Sequence, residues 1–548
     1  MRKKVWYGGV ALLGSLGGSA GSVSGGGQHN GAARPSFQTS DRCLACHNGI
    51  VTPSGQDISI GFDWRSSIMA NSSRDPYWQG SVRRESIDHP ESQSDIEDEC
   101  SVCHMPITRF EARLNGRNGQ IFSHLPFDGN NAESAQAEDG VSCSVCHQIA
   151  NKKLGTPESF NGRFVIDPPE SKSEHPEYGP FSIDAGRQRI MHTSSGGFRP
   201  TDGAQIRDSA LCGTCHTLKT KALGPGGKEI GSLPEQMPYP EWLHSDFRDK
   251  ESCQSCHMPE IPGQVPIAAV LGVPRQGAHQ HTFVASNFFM LKMLNLHRND
   301  LSVVALPTEM TAASEKTVAF LQSQSARVSI PSIKLVSGRL QARVLVQNLS
   351  GHKMPTAYPS RRAWLHVTVR DARGDKVFES GALRADGSIE GNDNDADPAR
   401  FEPHYREITS SDQVQIYEPI LKDAAGHVTT GLLSAVGYLK DNRLLPRGFK
   451  KETAEPDIAV VGDAAEDPNF TDAGNLVQYS VSTGEARGSF RVEAELWYQP
   501  IGFRWAHNLG AYKVAEPQRF VGYYESMSSA TAVLLTRAEA KSNEAARK

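Results

Sequence analysis

Ten cysteines stand in the first half of the 548-residue chain, and every one belongs to a segment of a single form. The segments are Cys43-Leu-Ala-Cys46-His47, Cys100-Ser-Val-Cys103-His104, Cys143-Ser-Val-Cys146-His147, Cys212-Gly-Thr-Cys215-His216 and Cys253-Gln-Ser-Cys256-His257. Two thiols three positions apart lie on one side of a helical turn, where they reach the two vinyl groups on one haem edge. The histidine that follows turns its imidazole under the ring to ligate iron from the proximal side. That imidazole binds neutral, and its other nitrogen needs an acceptor to fix its orientation. The five segments predict five covalently bound haem c groups, with His47, His104, His147, His216 and His257 on the irons.

Other cysteine chemistries fit the spacing less well. A thioredoxin-like CxxC does not recur five times with histidine after each copy. Zinc would take these pairs two at a time, and five pairs cannot all be matched. An exported chain with this many cysteines is normally a disulfide framework, but disulfides do not predict the histidine.

Fourteen histidines remain for the sixth coordination position, enough to close every iron. A saturated iron carries electrons, whereas an open one can also react with substrate. His281, before Thr-Phe, and His244, after Trp-Leu, sit beside aromatic residues suited to packing on haem. His89, His124 and His192 are further candidates, and Met69 offers a thioether. His175 and His279 read as exposed loop residues.

The remaining sequence positions this array. Arg2, Lys3 and Lys4, an apolar run from Val5 to Leu16 and Gly-Ser-Ala at 18–20 have the grammar of a secretory signal over 1–20. Export to the periplasm or beyond follows, and no later run is long and apolar enough to span a bilayer. Residues 21–40 are Gly/Ser-rich and read as a flexible leader. Residues 41–325 carry all five motifs, with helices expected over 287–299 and 308–324. A low hydrophobic share of 38% and 50 glycines suit a chain that packs around something besides its own side chains.

From 326 to 515 the pattern changes to short β-rich runs, such as Leu340–Val346 and Trp364–Val369, separated by Gly/Asp turns. These predict a β-sandwich, so the fold class is α+β, with residues 516–548 a C-terminal helix or loose tail. Within the sandwich, His352 lies in a loop that could reach an iron as a distal ligand. Arg361 and Arg362 are candidates to grip haem propionates. Asp393, Asp395 and Asp397 alternate as Ca²⁺ ligands do, although a terminal glutamate is missing, and the competing reading is a solvated acidic loop.

These residues resemble the multihaem cytochrome c superfamily that includes the tetrahaem cytochrome of ammonia oxidisers. The resemblance rests on the five CxxCH segments, on Cys-His-Met-Pro at 103–106 and 256–259, and on His281-Thr-Phe. More closely, the chain looks like bacterial multihaem proteins with a β domain carrying Gly-His-Lys-Met-Pro-Thr (351–356), Lys-Asp-Asn-Arg-Leu-Leu-Pro (440–446) and Tyr498 to Trp505. The resemblance implies electron relay between redox protein donors and acceptors. The alternative is an oxidoreductase acting on a small nitrogen or sulfur compound at an open iron. Pentahaem nitrite reductases carry a lysine in place of one motif histidine, and this chain does not. A net charge of -5 without a basic stripe gives no support for nucleic-acid binding. Association with a peripheral membrane complex, or with a second copy, is compatible with the sequence.

Overall fold

The computed structural model describes residues 37–167, 175–486 and 488–542. The expected signal segment and residues 21–36 of the expected leader lie outside them. The last residues of that leader are already packed. Phe37 is buried edge-on against Phe110, 5.1 Å between ring centroids, and Ser40 donates to the Asp139 carboxylate.

The first half is built from short helices joined by long connections. The helix Pro76–Asp88 starts where Asp75 accepts from the amides of Tyr77 and Trp78 and a proline takes the first helical position. It stops at His89, which precedes a proline and is therefore driven away from helical geometry. Gln93–His104 follows and carries the second CxxCH motif at its C-terminal end. The other four motifs sit on single turns, Asp41–Leu44, Cys143–Cys146, Ser209–Gly213 and Cys253–His257. A hairpin of Leu218–Leu223 and Glu229–Gln236 stands between the fourth and fifth. The helices expected over 287–299 and 308–324 form as Phe288–Leu296 and Pro307–Gln324.

Two five-stranded sheets follow. In one, Lys376–Ser380, Arg362–Arg370, Arg491–Gln499 and Val533–Lys541 lie side by side, and Ile416–Tyr417 pairs with the start of Arg362–Arg370. In the other, Glu407–Ile408, Gly474–Ser482, Arg339–Asn348 and Ala326–Val336 lie in that order, with Phe470–Thr471 attached. Leu340, Ala342, Val344 and Val346 point inward from one sheet, and Val492, Ala494, Leu496 and Tyr498 from the other. Register follows from this alternation: Val344 opposes Val477 and Leu365 opposes Leu496. A slip by one residue would turn each inward set out to water. The inner faces share one core, as in a sandwich. Where a C-terminal helix or tail was expected, the described residues form helix Ala515–Ser526, then strand Val533–Lys541 paired with Arg491–Gln499. Leu535, at a shift of register in this pairing, is the strand's buried residue.

The change near residue 325 is one of secondary structure, not a gap in packing. Tyr77, Met237 and the Phe288–Leu296 helix belong to the same core as the sheets. Among the described residues no helix is long and apolar enough to cross a membrane.

The acidic loop holds cations of another kind. Asp395 receives both Arg362 guanidinium nitrogens at 2.7 and 2.9 Å and the Ile389 amide at 2.8 Å, with both charged side chains buried. Asp393 pairs with Arg400, and Asp397 caps the Ala399 amide. The calcium reading of Asp393, Asp395 and Asp397 is therefore withdrawn, because arginines and amides already occupy the carboxylates. No cluster of three or more His, Cys, Asp or Glu among the described residues could hold a metal ion. Arg362 is thereby committed to Asp395 and is withdrawn as a propionate partner. Removing one member of a buried ion pair strands the other, at a cost of about 3–5 kcal/mol. R362M is expected to lower the urea unfolding midpoint accordingly, and R362M/D395L to recover most of the loss; an unchanged R362M midpoint would contradict the assigned role.

Candidate haem-binding cavity

All ten motif cysteines and all five motif histidines line one cavity of about 2330 Å³. Protein interiors are otherwise packed like organic crystals, and a pocket for a drug-sized ligand is about 300–1,000 Å³. The space fits several large flat groups.

Local geometry matches the attachment chemistry. The backbone amides of His47, His147 and His216 donate to the first cysteine carbonyl of their own motif at 2.9–3.1 Å. That one helical turn sets both thiols and the imidazole on one side. In the fourth motif the residue after Cys212 is glycine, and a Cβ there would meet the Tyr239 ring at 2.8 Å. Burial pushes the Cys100 thiol up and Cys146 up to about 12. The Cys253 thiol, beside that of Cys212, is instead lowered to about 7.

The imidazoles are held in one tautomer. His47 Nδ1–H donates to the Ile267 carbonyl at 2.6 Å, His104 to Ser72 at 2.8 Å, His147 to Tyr178 at 2.7 Å and His257 to Val284 at 2.6 Å. Each donation leaves Nε2 with its lone pair toward the cavity, the arrangement an iron ligand requires. Burial lowers all five rings, His104 and His216 to about 4, so they are neutral at pH 7.

Two further imidazoles face motif histidines across a gap. His281 lies nearly parallel to His147, 17° between planes and 6.4 Å between ring centroids. His352 faces His257 at 6° and 6.2 Å. Stacked rings would stand closer, at about 3.5–4.0 Å between carbons. The gap suits one metal atom between facing nitrogens, each about 2.0–2.1 Å from it. In both, Nδ1 is again tied to a carbonyl: His281 to His279 at 3.1 Å and His352 to Lys353 at 2.9 Å. Burial lowers His281 to about 3 and His352 to about 4.

Other candidates lie elsewhere. His244 spends its Nε2 on the Lys450 carbonyl at 3.0 Å, which takes away the nitrogen a ligand would use. His89 is buried with Nε2 3.4 Å from the Ser434 hydroxyl, and neither it nor His124 lines the cavity. His192 is also off the cavity wall, although its Nε2 is buried without a partner and its helix neighbours Met191 and Ser195 line the wall. Met69 and Arg361 line the cavity. His175 and His279 depart from the exposed positions expected of them. His175 is buried against Phe198. His279 lines the cavity with its Nδ1 tied to the Met258 carbonyl, a candidate ligand the sequence reading passed over. Its only signal there was its position two residues before His281.

The motifs adjoin one another. The Cys43 thiol lies beside that of Cys143, Cys103 beside Cys215 and Cys212 beside Cys253. Buried acids surround them: desolvation raises Asp75 and Asp139 to about 6 and Glu235 to about 7.

The overall fold is similar to that of a penta-haem cytochrome c552 from Thermochromatium tepidum, with a TM-score of 0.50 and 15% identity over 92% of this chain and 99% of that one. At that identity the likeness speaks to the fold. No protein-family model matches the chain. No curated protein matches it either.

Glu235 accepts hydrogen bonds from Thr220 and from Gln236, yet burial keeps its proton on up to about pH 7. A carboxyl raised in the folded state contributes stability that is present below its unfolded value of about 4.3 and lost as pH rises through the folded one. Thermal midpoints of the parent are expected to fall between pH 4.5 and 7 relative to E235Q, by an amount worth roughly 3 kcal/mol. Parallel profiles for the two proteins would refute this.

Proposed function

We propose that the chain is an exported pentahaem c-type cytochrome that relays electrons between redox protein partners. The observation that carries this reading is the convergence of five complete CxxCH motifs on one cavity wall, with adjacent thiols linking the first motif to the third, the fourth to the second and the fourth to the fifth. Haem bound at each motif would supply one-electron chemistry at iron, and groups set this close would pass electrons onward. The resemblance to the tetrahaem ammonia-oxidiser superfamily, the signal-like N-terminus and a periplasmic location belong to the same reading.

The protein's own residues would do the holding and orienting. Each cysteine pair would fix one haem edge, and four of the five proximal imidazoles would offer Nε2 because a carbonyl holds their Nδ1–H. His281 would close the sixth position on the iron of His147, and His352 on that of His257. Arg361, on the cavity wall, is the remaining candidate for a propionate.

One observation favours the second reading, an oxidoreductase acting on a small nitrogen or sulfur compound. Among the described residues no imidazole faces His47, His104 or His216 as His281 and His352 face their partners. An iron on one of those three with no sixth ligand from the chain would be open to substrate.

Haem content per chain, measured against protein mass, is expected to be five. In quantified electron paramagnetic resonance spectra, H281A and H352A should each convert one low-spin haem to high-spin. Five low-spin haems in the parent favour the relay. A high-spin parent signal that shifts on adding nitrite or hydroxylamine favours the oxidoreductase.

A further inference from the structure

Two segments that the sequence marks without a role, 351–356 and 440–446, meet in the structure. Met354 and Leu444 exchange both backbone hydrogen bonds at 2.9 Å. Asn348 Nδ2 donates to the carbonyls of both His352 and Leu444. Beneath them lies a buried quartet of charges. Lys353 Nζ donates to Asp441 at 2.7 Å, and Arg443 clasps the same carboxylate at 2.9 and 2.8 Å. Arg443 also stands 3.0 Å from Glu241. The other Glu241 oxygen accepts from the Lys353 amide at 3.1 Å and the Thr356 hydroxyl at 2.5 Å. Lys353 and Glu241 are fully buried.

Burying four charges is expensive even when they sum to zero, and well-packed apolar side chains often stabilise as much. What distinguishes this quartet is where its bonds land. The carbonyl of His352 is held by Asn348, the amide of Lys353 by Glu241 and the Lys353 side chain by Asp441, while the Lys353 carbonyl accepts His352 Nδ1–H. Gly351 is packed so closely that a Cβ would meet the Phe247 ring at 3.1 Å. Every neighbour of His352 is pinned, and its ring is left with one direction.

We propose that Glu241, Lys353, Asp441 and Arg443 are positioning residues that deliver His352 to the iron carried by Cys253, Cys256 and His257. This rests on the reading of His352 as that iron's sixth ligand. The sheet region thus acts as the outer clamp of one haem, with Glu241, twelve residues before Cys253, tying the clamp to the haem's own segment.

The test uses the haem-loaded protein and reads spin state and potential haem by haem. H352A, D441N, T356V and E241Q are compared with the parent, T356V because it removes a single hydrogen bond to Glu241 and E241Q because it removes the Glu241 charge while keeping its shape. D441N is expected to turn one haem in five high-spin, with the low-spin spectrum restored by added imidazole. T356V and E241Q should shift the midpoint potential or spin state of that same haem. H352A/D441N should give no more high-spin iron than H352A alone. If H352A leaves every haem low-spin, the ligand reading falls and this proposal with it. If H352A yields a high-spin haem but folded D441N, T356V and E241Q keep five low-spin haems at parent potentials, only the positioning role is overturned. Should D441N fail to fold, T356V and E241Q decide alone.

Discussion

The donation of an imidazole Nδ1–H to a backbone carbonyl is the interaction on which this structure depends. It recurs at four of the five motif histidines and at His279, His281 and His352. Each donation selects the neutral tautomer with its lone pair on Nε2, which is what a metal accepts. Each also spends a carbonyl that regular secondary structure would have used. Ser72, Tyr178, Ile267 and Val284 all supply such carbonyls from segments distant in sequence from the histidines they hold.

The attachment motifs were legible because their chemistry is local. Cysteine, cysteine and histidine lie within five residues, and one helical turn is enough to present them. The sandwich was legible for a similar reason, since alternation over Leu340–Val346 and Trp364–Val369 is a property of one strand at a time. The partners across the gap were less legible. His281 and His352 face their rings from 134 and 95 residues away in number, as the positions of His147 and His257 give. His244 shared with His281 the sequence context of aromatic neighbours, yet the fold carries its Nε2 to Lys450. Aromatic company reports burial, whereas ligation depends on direction, and direction is set by tertiary contacts.

The acidic loop shows the same limit from the other side. Alternating aspartates look alike whether they await a cation in solution or an arginine from a strand. Arg362 decides the matter, because a guanidinium fork matches one carboxylate with two parallel bonds and seals it from water. Its neighbour Arg361 takes the opposite course, onto the cavity wall. Adjacent residues of an extended segment point to opposite faces, so one arginine serves the sandwich and the other the cavity.

That alternation explains why the two halves are inseparable. The strand region is not an appendage to a cytochrome-like half, because its core includes Tyr77, Met237 and the Phe288–Leu296 helix. Nor is the cavity closed without it: Met354, Tyr358, Arg361 and Leu433 all line the wall. A chain with a low apolar share can hold a space of this size only if a stiff neighbour forms one side. Sheets provide that stiffness, since a register held by two inward faces cannot slide. The loop bearing His352 leaves one such strand, Arg339–Asn348, and the chain enters the other sheet at Arg362–Arg370. Both ends of the loop are therefore fixed by ladders of backbone bonds, and an imidazole carried between them can be aimed across the cavity with little freedom to miss.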